Sequence, residues 1–205
     1  MNRVVVINVV GLCDRHIGPD MPFLSAFRER TQHRHIDPAF PAVTCTAQSD
    51  YVTGKTASGH GIVGNGWYNR DLAEVQFWKQ PNQLVQGPKV WDTLRARHAD
   101  FTFAKVFWWY NMYSSADWSL TPRPMYPADG RKVFDIYTHP PSIRSEIKQD
   151  LGEFPFPGFW GPAAGMTTPQ GSADCVSCWI AESAKWVEER QSPTLTTIYL
   201  PHLDY

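Results

Sequence analysis

The chain has almost no net charge, no long hydrophobic run and few cysteines. Its nineteen Lys and Arg nearly cancel twenty Asp and Glu, for a formal charge of −1. That balance gives no electrostatic basis for a nucleic-acid polymer or a membrane surface as partner. The run Val4 to Val10 is too short to span a bilayer and has no small-residue cleavage site after it, so it reads as neither anchor nor secretory signal. Cys13, Cys45, Cys175 and Cys178 make no dense disulfide framework, and a reducing, cytoplasmic setting is expected. Cys175-Val176-Ser177-Cys178 has the spacing of a redox pair or of half a zinc site. No second Cys/His pair completes such a site, and two partly buried thiols are the expected state.

What the chain does have is bulk. At 205 residues it can bury a sizeable core in one domain. Nine Trp, eight Tyr, eleven Phe and seventeen Pro imply large apolar contacts and much ordered loop. Val4 to Val10 is continuous and β-branched and ends at Gly11. It suits a central parallel strand covered on both faces. Met21 to Arg30 carries Phe23, Leu24 and Phe27 at helical spacing, and Lys89 to His98 places Val90, Trp91 and Leu94 on one face. Phe101 to Phe107 reads as a strand, Pro141 to Leu151 as a short helix, Asp174 to Glu189 as a longer one with Asp174 as N-cap, and Thr194 to Leu200 as a last strand. This alternation predicts an α/β fold, a three-layer α/β/α arrangement around a mostly parallel sheet. Trp108 to Gly130, rich in aromatics and Pro without a period, is expected as an inserted loop. Its rings, with Asn111, Asp117 and Arg123, either pack as a satellite core or stack on a planar ligand.

Phe40 to Tyr68, FPAVTCTAQSDYVTGKTASGHGIVGNGWY, is the stretch around which the rest is organised. Phe40-Pro41 resists helix, Thr44 can open one as its N-cap, and Gly54 can close it. A helix start offers free N–H groups to an anion. A hydroxyl there and an Asn on the glycine-flanked turn at Asn65 can meet around one phosphoryl group. His33 and His35 are a weaker pattern, a pair that reads as solvated side chains or as metal ligands on a strand.

The residues Phe40-Pro41, Thr44, Val52-Thr53-Gly54 and His60-Gly61-Ile62-Val63-Gly64-Asn65 with Tyr68 resemble the nucleophile region of type I phosphodiesterase/nucleotide pyrophosphatases, in the alkaline phosphatase superfamily. The resemblance implies an alkaline-phosphatase-like sheet. It also implies a hydrolase of phosphodiester or nucleotide pyrophosphate bonds that acts on small phosphate esters through two divalent metal ions, commonly zinc. Carried over, Thr44 is the metal-bound nucleophile and Asn65 the donor to the phosphate oxygens, aided by the backbone N–H near Cys45. Asp204, just past the last strand, is a metal ligand. The first-strand Asp of the family has no match, since Val10 precedes Gly11; Asn8, on the same strand face, stands as a weak substitute. Thr46-Ala47-Gln48 replaces the Pro-Asn-His that usually follows the nucleophile. Further ligands of the family would fall beyond Tyr205, so a domain incomplete at its carboxyl end is expected. A catalytically impaired relative that binds a phosphate ester or nucleotide, or a partner-dependent protein that oligomerises through an exposed strand edge, stands as the alternative.

Overall fold

In the computed structural model, residues 2–159, 175–201 and 203 are described. The chain opens with β1 (Val4–Val9) and α1 (Pro22–Glu29). Next come α2 (Thr44–Thr53), the single turn α3 (Ala57–His60), and a hairpin of β2 (Gly66–Asn69) and β3 (Glu74–Phe77). There follow α4 (Val90–Arg97), β4 (Phe103–Val106), β5 (Trp118–Pro122), β6 (Ile136–His139), α5 (Ser142–Leu151), α6 (Val176–Gln191) and β7 (Leu195–Leu200). Five strands form one sheet in the order β1-β7-β4-β5-β6. Every neighbouring pair is parallel except β5 with β6. This is the mostly parallel sheet of the expected α/β class.

The period-two alternation of the inner strands sorts the helices onto two faces. Phe103 stacks on Trp91 of α4 with centroids 4.5 Å apart, and Lys105 Nζ lies 5.0 Å from the centroid of the same ring. Ala104, Val106 and Ile198 turn the other way, into the cluster that holds Ile180, Ala184 and Val187 of α6. The described residues include no helix long and apolar enough to cross a membrane.

Three local expectations change. β1 is an edge strand, not a central one. Among the described residues it pairs with β7 alone, and Val4, Val5, Val6 and Ile7 are 41–54 % exposed on both of its faces. A β-branched run records that a strand suits burial; its place in the sheet follows from which strands join it. The stretch from Trp108 to Gly130 is not loop throughout, because β5 lies inside it and pairs with β4 and β6. The third change concerns α6, which starts at Val176 with Cys175 as N-cap. The Cys175 sulfur accepts the Cys178 N–H and is joined to Cys178 in a disulfide, where two thiols were expected. Asp174 lies outside the described residues.

Candidate active site at the start of α2

Helix α2 begins where the backbone stops being extended. Val43 has φ −126° and ψ 154°, and its carbonyl accepts the first helical bond, from Ala47 N–H at 3.0 Å. Val43 is therefore the N-cap, and Thr44 is the first helical residue, not the cap expected from its side chain. The consequence is chemical. The Thr44 hydroxyl is not spent on capping and takes no hydrogen bond from any described residue. The helix ends at Gly54, whose φ of +64° suits glycine, with its N–H on Asp50 O at 2.8 Å. Next to Thr44, the Cys45 thiol is fully buried. Burial pushes its pKa up to about 12, with the Tyr110 hydroxyl offsetting part of that rise, so near neutral pH it stays a thiol and is no rival nucleophile.

The segment from His60 to Asn65 is held against this helix from both ends. His60 is fully buried; its Nδ1 accepts the Ile62 N–H at 3.1 Å, so its proton sits on Nε2, which faces Asp50 Oδ1 at 2.5 Å. Gly61 follows at φ +81°, with the Gln86 side chain 3.1 Å from where a Cβ would stand. At the far end, Asn65 O accepts the Trp78 N–H at 3.0 Å, at the foot of the β2–β3 hairpin. Between these anchors the Asn65 side chain reaches α2, and its Oδ1 accepts the Cys45 N–H at 3.0 Å. Cys45 follows Thr44 at a Cα spacing of ~3.8 Å, so Asn65 stands one residue from the hydroxyl. The bond also corrects the role expected of the Cys45 N–H. That group is already donating to Asn65, whereas the N–H groups of Thr44 and Thr46 find no acceptor among the described residues. With its oxygen engaged, Asn65 keeps its NH₂ for an outside acceptor.

Thr44 also borders a cleft of about 720 Å³, walled in part by Asn8, Asp14, His33, His35, Thr44 and Tyr51. Asn65 is not one of its walls. Asn8, at the end of β1, has its Oδ1 2.9 Å from Gln48 Nε2. Asp14 is paired with Arg28 at 3.3 Å and with His33 at 3.0 Å. Gln48 is the participant that inspection of the sequence missed. It appeared there only as a departure from the family pattern, and its i, i+4 relation to Thr44 was the available signal.

These side chains do not fit a two-metal centre. Among the described residues no group of three or more His, Cys, Asp or Glu could hold a metal ion. The Asn8 amide oxygen is turned to Gln48 Nε2, and the Asp14 carboxylate is engaged by Arg28 and His33. Asp204 lies outside the described residues.

The aromatic segment after β4 is packed inward at its start, while Tyr113 and Tyr126 further along it are exposed. Trp108, Trp109, Tyr110 and Met112 are buried. Asn111 donates to Lys105 O and Leu120 O, Asp117 accepts from Arg95 and from Phe103 N–H, and Arg123 meets the Met112 sulfur. The Asn111 NH₂ and the Asp117 carboxylate are therefore engaged within the fold.

A family model described as type I phosphodiesterase / nucleotide pyrophosphatase matches residues 4–205. No curated protein matches the chain significantly.

Proposed function

We propose, from the premise that this chain belongs to the type I phosphodiesterase/nucleotide pyrophosphatase family, that it takes a phosphodiester or nucleotide pyrophosphate at the start of α2 and hydrolyses it through Thr44. The observation that carries this reading is the 3.0 Å bond from Cys45 N–H to Asn65 Oδ1. It brings a turn twenty residues away to within one residue of an uncommitted hydroxyl.

In this reading the phosphate sits over the first turn of α2. The free N–H groups of Thr44 and Thr46 and the positive end of the helix favour its charge. The Asn65 NH₂ donates to an equatorial oxygen, and the Thr44 oxygen attacks phosphorus as the alcohol or nucleotide leaves. Water then releases the phosphoryl group from Thr44. The family relationship implies divalent metals, zinc among them, to acidify the hydroxyl. The described residues do not fit that centre, so metal dependence would rest on donors outside them, Asp204 first.

One observation favours a second reading, in which the site binds a phosphate ester without turning it over. No described carboxylate or imidazole is hydrogen-bonded to the Thr44 hydroxyl, so no base in contact takes its proton.

The test is release of nitrophenolate from bis(p-nitrophenyl) phosphate, with added zinc and with chelator. The hydrolase reading expects zinc-stimulated release that Thr44→Ala abolishes. Full activity in Thr44→Ala removes Thr44 as nucleophile. Phosphate binding in chelator without release under any condition selects the second reading.

A further inference from the structure

The amide network next to Thr44 determines which atom of Asn8 is left uncommitted. From it we infer that Asn8 is a hydrogen-bond donor to a bound oxyanion and not a ligand to a metal. The chain of bonds starts on the backbone, where no ambiguity of donor and acceptor exists. Trp109 N–H lies 2.8 Å from one end of the Gln48 amide. A backbone N–H only donates, so that end is Oε1 and the other end is the NH₂. This NH₂ lies 2.9 Å from the Asn8 amide, so the atom it meets is Oδ1. Rotating Gln48 by 180° would set its NH₂ against the Trp109 N–H. Rotating Asn8 would set two NH₂ groups against each other. Gln48 is 1 % exposed, so water has no access with which to rescue either arrangement.

Asn8 is left with its Nδ2 uncommitted among the described residues, at a half-buried position in the wall of the cleft. Gln48 and Thr44 are four residues apart on one face of α2, where Cβ atoms stand roughly 5–6 Å apart. Gln48 thus ties Asn8 to the face of α2 that carries Thr44, and Asn8 and Thr44 line the same cleft. A cation approaching Asn8 Nδ2 meets the positive end of an amide whose oxygen is already engaged, whereas a phosphate oxygen meets a donor. At the β1 position the site thus recognises a phosphate-ester oxyanion by hydrogen bonding from Asn8, in the cleft that Thr44 also lines. This inference rests on the phosphate-ester reading of the site and deepens it.

The experiment titrates inorganic phosphate into the full chain in EDTA, by calorimetry and by following the ¹⁵N-labelled side-chain amides. The expected result is that the Asn8 NH₂ resonances move with saturation. Asn8→Asp, close to isosteric and still able to accept from Gln48, binds phosphate at least ~10-fold more weakly. Unmoved Asn8 resonances in a wild type that binds phosphate overturn the inference. Undiminished phosphate binding by a folded Asn8→Asp does the same, and so does zinc binding to the wild type that Asn8→Ala removes. Those outcomes leave the reading of Thr44 and Asn65 standing, provided Asn65→Ala weakens phosphate binding. A wild type that takes up no phosphate in EDTA also overturns the inference, and the zinc-stimulated hydrolase reading is then decided by the nitrophenolate assay.

Discussion

Replacing Asn65 by Asp separates what that side chain does for the fold from what it does for a ligand. The Cys45 N–H that Asn65 satisfies at 3.0 Å belongs to a residue with no solvent exposure. Asn65→Ala leaves that donor without a partner, which costs about 1–3 kcal/mol. For a domain of this size that is a fall in Tm of roughly 2–12 °C. Asn65→Asp keeps the acceptor and adds a negative charge beside the first turn of α2, where a carboxylate contributes about 0.3–1 kcal/mol. Its Tm is therefore expected to hold or to rise by up to ~4 °C. Toward a phosphate ester the two variants behave alike. The Ala variant lacks one donor, a loss of roughly 3–4 kcal/mol of barrier lowering. The Asp variant sets a carboxylate ~4 Å from the anion, a repulsion of about 4 kcal/mol at an effective dielectric constant near 20. Both figures correspond to two to three decades in rate or affinity. A thermal melt and a phosphate titration on the same three proteins decide the matter. An Asn65→Asp protein that melts more than ~4 °C low refutes the structural half of the reasoning. One that binds phosphate like the wild type refutes the functional half.

Other perturbations read other parts of the structure. His60→Ala removes a fully buried imidazole that joins Asp50 to the Ile62 N–H; urea unfolding should show a loss of about 2–4 kcal/mol, and a loss under 0.5 would mean that the segment to Asn65 is held by its other end. Lys105 is fully buried, and burial, reinforced by nearby Lys89, holds its pKa well below the usual lysine value. The unfolded chain therefore binds more protons than the folded one between that lowered value and the ordinary ~10.4, so stability climbs with pH through the window and falls as pH drops. Lys105→Met should flatten that slope, with Tyr110 O still held by Asn82 at 2.9 Å; an unchanged slope in pH-dependent denaturation assigns it to another group. Cys175 and Cys178 close a loop of sequence separation 3. Cys178→Ala should thus cost about 2 kcal/mol or less by the loop-entropy relation, and a loss well above that would give the bridge a larger structural part.

Much of the local structure was legible because its causes are local. Gly54 marks the end of α2, and the helix runs to Thr53 as its residues suggest. Val90, Trp91 and Leu94 define α4, and the apolar run from Leu195 to Leu200 defines β7. The hairpin of β2 and β3 gave no such signal, having four residues in each strand and no two-residue turn motif between them. β5 was hidden by the proline that ends it and by aromatics on either side. Its pairing with β4 and β6, not its own composition, makes it a strand.

The sequence by itself determined the class of fold, the helix that Gly54 closes and the membership that the HGIVGN segment announces. Each of these depends on residues close together in the chain, or on a pattern of types that survives without coordinates. Only the tertiary structure decided that Asn65 spends its oxygen on Cys45, that Gln48 turns the Asn8 amide, and that β1 lies at the edge of the sheet. Donor and acceptor assignments of that kind depend on what stands within about 3 Å. For Asn8 the deciding groups lie 40 and 101 residues along the chain, a separation no periodicity encodes.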